Sequence, residues 1–151
     1  MKIEIKNVKY AEFASEETNC FNASVYIDGV KAGTVSNDGN GGCDMFQPWE
    51  LEKRLNEYAK TLPPIDCTEF GGEGTMESSA GIIIGDLMNE WLRNRDLKKM
   101  CAKKVLFRKP NEKYADGEYH SIKGKLTPEL KLQLINKYGT SVFILNEQVV
   151  V

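Results

Sequence analysis

The sequence predicts an α+β fold, a mainly antiparallel sheet of about six strands with about three helices packed on one face. Three observations predict it. Two Asp-Gly pairs, Asp28-Gly29 and Asp116-Gly117, each separate strand-like segments and read as hairpin turns. Three stretches carry apolar residues at helical spacing. Hairpins dominate the resulting order β-β-β-α-α-β-β-α-β, which favours antiparallel pairing with helices layered against the sheet.

Residues 2–10 begin with Ile3 and Ile5 on one face and then shift phase to Val8 and Tyr10, so a strand with a bulge near Lys6-Asn7 is expected. Residues 14–19 are a polar connection. In 20–28, Phe21, Ala23, Val25 and Ile27 alternate with Cys20, Asn22, Ser24 and Tyr26, giving a half-buried strand that returns through Asp28-Gly29 as 31–36. Residues 37–42 hold three glycines and read as a loop. Pro48 suits a first helical position, and Trp49, Leu51, Leu55, Tyr58 and Leu62 mark about four turns stopped by Pro63-Pro64. After a second glycine loop in 65–75, a long helix starts near Ser78 with a stripe of Ile84, Leu87, Met88, Trp91 and Leu92. Leu97, Met100 and Cys101 either continue it or follow a break near Asn94.

Residues 104–109 and 118–123 read as the second hairpin. Thr127-Pro128-Glu129 supplies a cap, a proline at the first turn and an acid at the positive helix end. Leu130, Leu134, Ile135 and Tyr138 face one way, and Gly139 suits the helix C-terminus. Residues 141–145 are apolar on both faces and read as an inner strand. Residues 148–151 either extend it or pair at an edge. No repeat and no linker interrupts the 151 residues, so a single α+β domain over 1–151 is expected, with a soft boundary near 75 or 103 as the alternative.

An apolar fraction of 41% and a charged fraction of 28% are those of a globular protein. The net charge of −2 hides an asymmetry: residues 1–74 hold 7 Lys/Arg against 13 Asp/Glu, and residues 75–151 hold 13 against 9. The basic excess concentrates in Arg93, Arg95, Lys98, Lys99, Lys103, Lys104, Arg108, Lys109 and Lys113, opposed there by Asp96 and Glu112. Such a cluster suits a polyanion or an acidic protein; its plainer account is a solvated helix end. Arg93, Arg95, Lys98, Lys99, Lys103 and Lys104 are the candidate partner-binding residues. Met1 leads into Lys2-Ile3-Glu4-Ile5-Lys6 without an apolar export segment, and no run approaches the length of a membrane span, so cytoplasmic residence is expected. Cys20, Cys43, Cys67 and Cys101 lie 23, 24 and 34 residues apart with a single histidine, His120, which argues against zinc. No cofactor or metal is expected.

Two loops are candidate ligand sites. Asp38, Gly39, Gly41 and Gly42 belong to the first, where glycines let backbone N–H groups face an anion. It contains no lysine and does not fit a phosphate-binding P-loop. Counted from Asp38 as a calcium loop, position 6 is Cys43 and position 12 is Trp49, against the glycine and glutamate required. Gly71, Gly72, Thr75 and Ser78 belong to the second, ahead of a helix N-terminus that suits a phosphate, although Glu69, Glu73 and Glu77 repel one. For both loops the plainer account is a surface connection. His120 reads as a solvent-facing strand residue, without the context of a catalytic triad. Trp49, Trp91, Phe107 and Tyr119 suit base stacking or, more simply, the core.

Phe13-Ala-Ser-Glu-Glu-Thr-Asn-Cys-Phe-Asn-Ala-Ser-Val-Tyr-Ile-Asp-Gly29, with Val35-Ser-Asn-Asp-Gly39, resembles small bacteriophage and prophage proteins of unassigned role. So does Lys104-Val-Leu-Phe-Arg108 through Asn136-Lys-Tyr-Gly139 and Phe143-Ile-Leu-Asn-Glu147. Together these cover about half the chain. The resemblance implies a viral or mobile-element origin, residence in the host cytoplasm if phage-encoded, and no defined active site, and it transfers no functional residue. The expected function is therefore a phage-type accessory protein that binds and modulates a host macromolecule, such as a defence component, without catalysis. A host protein is the expected partner. The alternatives are sequestration of a small nucleotide by the glycine loops, nucleic-acid binding through residues 93–113 and, least favoured, an enzyme; pairing through the first hairpin or the valine tail would make a homodimer. No membrane partner is expected.

Overall fold

Phe21, Ala23, Val25 and Ile27 are all buried in the computed structural model, which describes residues 1–148. Their alternation puts them on one face of a four-stranded antiparallel sheet. Its order is β1 (Ile3–Tyr10), β2 (Cys20–Ile27), β3 (Val30–Asp38) and β4 (Met45–Gln47). Ile5 pairs with Val25, Ala23 with Val35 and Val35 with Phe46, so apolar rows run across the strands. The expected bulge is present: pairing shifts between Lys6 and Lys9, and Asn7 has φ 53°. β1 is an edge strand, and this bulge together with Lys2, Lys6 and Lys9 blunts it against pairing with a second chain. The hairpin turn carries positive φ at Asp28 and Gly29, as its sequence requires.

β3 runs two residues further than expected, because Asn37 and Asp38 still pair with Phe21 and Cys20. A Cβ at Gly33 would collide with the Gln47 carbonyl oxygen and press on Leu51 and Pro48, so the strand is bare where α1 (Trp49–Ala59) begins. Pro48 is the N-cap of α1 rather than its first helical residue. The helix ends at Ala59, a turn earlier than expected, where the Thr61 N–H and hydroxyl both donate to the Tyr58 carbonyl. Leu51, Leu55 and Ala59 are its buried stripe. The second glycine loop contains a small hairpin, β5 (Ile65–Asp66) with β6 (Thr75–Met76). α2 (Ala80–Cys101) is one continuous helix of 22 residues, the first of the two alternatives. Asn94 is exposed there, and an asparagine costs a helix interior too little to break it.

The chain divides into two compact units, Met1–Asn89 and one from Glu90 onward, with the boundary inside α2. The first has as its core the inner face of the four-stranded sheet together with Leu51, Leu55, Ala80, Ile84 and Met88. The second is built on β7 (Lys104–Arg108), the centre of an antiparallel sheet of order β8 (His120–Lys123), β7, β9 (Phe143–Ile144). Val105 and Phe107 pack with Leu134 of α3 (Pro128–Tyr138) and with Ile144. Leu106, on the opposite face, packs with Cys101 and Leu145. β7 is thus covered on both faces, not one. Thr127 caps α3 as expected, its hydroxyl accepting from the Leu130 N–H at 3.2 Å.

Two further expectations are corrected. Among the described residues there are nine strands in three separate sheets, not about six in one. β9 is a two-residue edge strand, not an inner one. Its segment is apolar on both sides because the chain turns at Leu145, so Ile144 and Leu145 enter different clusters. The expected pairing of the valine tail, residues 149–151, lies outside the described residues. Among those described, no helix is long and apolar enough to cross a membrane.

Candidate functional site

Asn37 organises the first glycine loop. Its Oδ1 accepts from the Thr18 hydroxyl at 2.8 Å and the Gly39 N–H at 2.9 Å, and its Nδ2 donates to the Gly42 carbonyl at 3.0 Å and Asp44 Oδ1 at 2.9 Å. That is the full capacity of an asparagine amide. The Asn40 N–H donates to Asp38 Oδ1 and the Gly41 N–H to Thr18 Oγ1. The Gly39 carbonyl accepts from the N–H groups of Glu17 and Thr18. Gly39 has φ 86°, and a Cβ on it would strike the Ala14 carbonyl, so glycine is needed there for packing as well as conformation. The N–H groups of Gly39, Asn40 and Gly41, part of the suggested anion nest, are therefore spent on the side chains of Asn37, Asp38 and Thr18.

Beside this loop lies an open cleft of about 400 Å³, within the usual size of a small-ligand site. Phe21 and Met88 form its apolar part, Asn19, Asn89 and Cys43 its polar rim, and Gly81 and Gly85 bare one side of α2. Asp44 is the one charged residue lining it, so the cleft disfavours a phosphate. Of the loop candidates, only Gly42 lines it; Asp38, Gly39, Gly41, Gly71, Gly72, Thr75 and Ser78 do not. The second glycine loop therefore contributes nothing to this cleft.

The second loop is likewise self-satisfied. Asp66 Oδ1 accepts from the Thr68 N–H at 2.9 Å and its hydroxyl at 2.6 Å, which holds the carboxyl below the ordinary carboxylate range. Gly71 and Gly72 donate their N–H groups to the carbonyls of Thr68 and Cys67. At the start of α2, the Ala80 N–H donates to Asn56 Oδ1 at 2.8 Å and the Ile82 N–H to Ser79 Oγ at 3.3 Å. The chain caps this terminus with its own side chains, Asn56 and Ser79.

The structural boundary sharpens the charge asymmetry. Residues 1–89 hold 7 Lys/Arg and 15 Asp/Glu, net −8, whereas residues 90–151 hold 13 and 7, net +6. Within the basic unit the arginines are engaged. Arg93 pairs with Asp116, Arg95 pairs with Asp96 at 3.1 Å, and Arg108 donates to the carbonyls of Glu118 and Ala115 while lying 4.2 Å over the Tyr119 ring. The lysines differ: Lys98, Lys99, Lys103 and Lys104 are all exposed and join no ion pair among the described residues. Phe107 is buried and Tyr119 lies beneath Arg108, so neither offers a stacking face, while Trp49 in the acidic unit is 67% exposed.

His120 stacks on Phe107 at 5.5 Å and sits 3.3 Å from Glu112 Oε2. The Tyr114 hydroxyl donates to the same oxygen at 2.8 Å and accepts from the Lys109 N–H at 2.8 Å. Ser121 follows on the strand and points to the other face, so no hydroxyl–imidazole pair forms. The group is a clamp on the 109–120 loop, and sequence reasoning missed Glu112 and Tyr114 in it. The Tyr114 hydroxyl, then His120, hold the Glu112 carboxyl below its ordinary range. A lowered folded-state value contributes stability that is present above the ordinary carboxylate range and lost as pH falls through the lowered one. Tyr114→Phe is expected to raise the Glu112 titration midpoint towards ordinary, as read from carboxyl chemical shifts. An unmoved midpoint would show that the hydroxyl is not its cause.

Among the described residues, no group of three or more His, Cys, Asp or Glu side chains is placed to hold a metal ion. Comparison of the chain with protein-family models, with curated proteins and with solved structures finds no match in any of the three.

Proposed function

We propose that this chain is a phage-type accessory protein that binds an anionic host macromolecule, and so modulates it, through the basic surface of its second unit and without catalysis. The observation that carries the reading is the contrast between engaged arginines and unpaired lysines. Arg93, Arg95 and Arg108 are held by the fold, while Lys98, Lys99, Lys103 and Lys104 stand exposed in a unit of net charge +6. The resemblance to phage proteins supplies the host context. Exposed cations without acid partners create a field that steers an oppositely charged partner and weakens with salt. The full chain should be retained on a heparin matrix at physiological ionic strength, and a Lys98→Glu/Lys99→Glu/Lys103→Glu/Lys104→Glu variant should flow through. Flow-through of the unmodified chain would dispose of the reading.

A second reading, sequestration of a small ligand, is favoured by the cleft of about 400 Å³ beside the first glycine loop. Spent loop amides and Asp44 favour a neutral, partly aromatic ligand over a nucleotide phosphate. Native mass spectrometry of gently purified protein separates the cases: a retained mass of several hundred daltons supports the cleft, and a clean apo mass removes it.

A further inference from the structure

Two further lysines join the four at one end of the β7–β8 sheet. Lys104 and Lys123 are direct cross-strand partners, and the Gly124 N–H donates to the Lys103 carbonyl at 2.9 Å, which fixes Lys125 one residue beyond. Lys98 and Lys99 occupy the last turn of α2, and the Lys103 N–H donates to the Met100 carbonyl at 3.0 Å, so the helix turns directly into the strand. Lys104 shares a strand face with Leu106, which packs against Cys101 and Leu97 of α2, and Lys123 lies opposite it. All six lysines are exposed, and none is in an ion pair among the described residues.

The fold does not need this arrangement. Like charges directly opposite in a sheet are destabilising. The α2 C-terminus offers about half a negative charge, far short of six cations. Nearby acids are occupied elsewhere: Asp96 holds Arg95, and Glu147 holds Lys131 at 2.7 Å. Glu129, in the first turn of α3, sits where the helix dipole favours it.

The residue types select the partner. Protein–protein interfaces are depleted in lysine and anchored by Trp, Tyr and Arg. Lysine meets a phosphate as a flexible point charge. Residues 98–104 and 121–126 contain no aromatic side chain, so this end has no platform for unpaired bases. The stacked group of Phe107, His120 and Tyr138 lies at the other end of β7, about 10 Å along the strand. With the arginines engaged, no guanidinium fork is presented to read a base edge.

We infer that Lys98, Lys99, Lys103, Lys104, Lys123 and Lys125 form a docking surface for the phosphate backbone of a double-stranded nucleic acid, bound without regard to base sequence. The inference rests on the proposed polyanion-binding role of the second unit and names the class of its partner.

The test is fluorescence anisotropy of the full chain with labelled 20-base-pair DNA duplexes of two base compositions, an RNA duplex, a single strand of equal length and a polyglutamate peptide, from 50 to 200 mM KCl. Both DNA duplexes should bind equally, and more tightly than the single strand. About five phosphate contacts predict a roughly 500-fold affinity loss over that salt range. The RNA arm reports which duplex source is preferred. Lys104→Gln/Lys123→Gln/Lys125→Gln should lower the log–log salt slope by about three, with an unchanged circular dichroism spectrum. Lys53→Gln/Lys60→Gln, in the first unit, should leave it unchanged. An unaltered slope in the triple variant, or tighter single-strand than duplex binding, overturns the inference. Polyglutamate binding at least as tight as duplex binding overturns it too, but leaves the polyanion reading standing. No binding to any of these polyanions overturns both.

Discussion

Asn37→Leu is expected to lower stability by about 3–4 kcal/mol, from four lost hydrogen bonds near 1 kcal/mol each. Leucine keeps the branching of asparagine and is the larger side chain, so the loss comes from bonding and not from a cavity. Asn37 is 8% exposed and spends both lone pairs and both N–H groups inside the protein. Leucine strands the Gly39 N–H, which lies in the buried part of the loop. It also releases Asp44 and Thr18, which close the cleft's polar side. Asn37→Asp is the informative companion. It keeps the two acceptors but replaces both donors and sets a carboxylate against Asp44, so its defect should shrink as the pH falls and the pair takes up a proton. Urea unfolding gives the magnitude, and hydrogen exchange at Gly39 and Gly41 gives the location. Undiminished Gly39 protection in Asn37→Leu would mean that the loop is held by something else.

The legible parts of this fold were those with local causes. Asp28-Gly29 sets its hairpin because the turn needs two positive φ values, and Thr127-Pro128 starts α3 because cap and proline act within one turn. The phase slip from Ile5 to Val8 likewise announced the bulge at Asn7. What sequence did not give depended on distant partners. β4 is three residues long and exists because Phe46 faces Val35. The separation into three sheets follows from pairings that no alternation pattern encodes. A glycine-rich loop looks the same in sequence whether its amides face a ligand or its own asparagine, so the ligand candidates at Gly39, Gly41, Gly71 and Gly72 were readable as loop positions but not as spent donors. The lysine surface was half visible: Lys98, Lys99, Lys103 and Lys104 are neighbours in the chain, whereas Lys123 and Lys125 join them only through strand register. A like-charged pair across a predicted hairpin was the one signal available for that step.

The second large effect is expected at Asn146, which no sequence motif marks. Its Oδ1 accepts from the Leu106 N–H at 2.8 Å, and its Nδ2 donates to the carbonyls of Cys101 at 3.1 Å and Lys104 at 2.9 Å. One side chain therefore joins the end of α2, the start of β7 and the turn that contains Leu145. Asn146→Ala leaves three backbone groups to find other partners, and because the site is only part-buried the expected loss is about 2–3 kcal/mol. Cys101 supplies a local readout. It is 4% exposed, and burial pushes its thiol up from the ordinary range, so it should react slowly with an alkylating reagent while exposed Cys43 reacts fast. Loosening the bracket should speed Cys101 alkylation under native conditions and raise exchange at the Leu106 amide. It should also weaken duplex binding although no charge is removed, because the Lys104 carbonyl is one of the groups that Asn146 fixes and Lys104 pairs with Lys123. An Asn146→Ala protein with a slow Cys101 and a protected Leu106 would show that packing of Leu106 and Leu145 alone holds the lysine end in place, and that its charges are presented by the core rather than by this bracket.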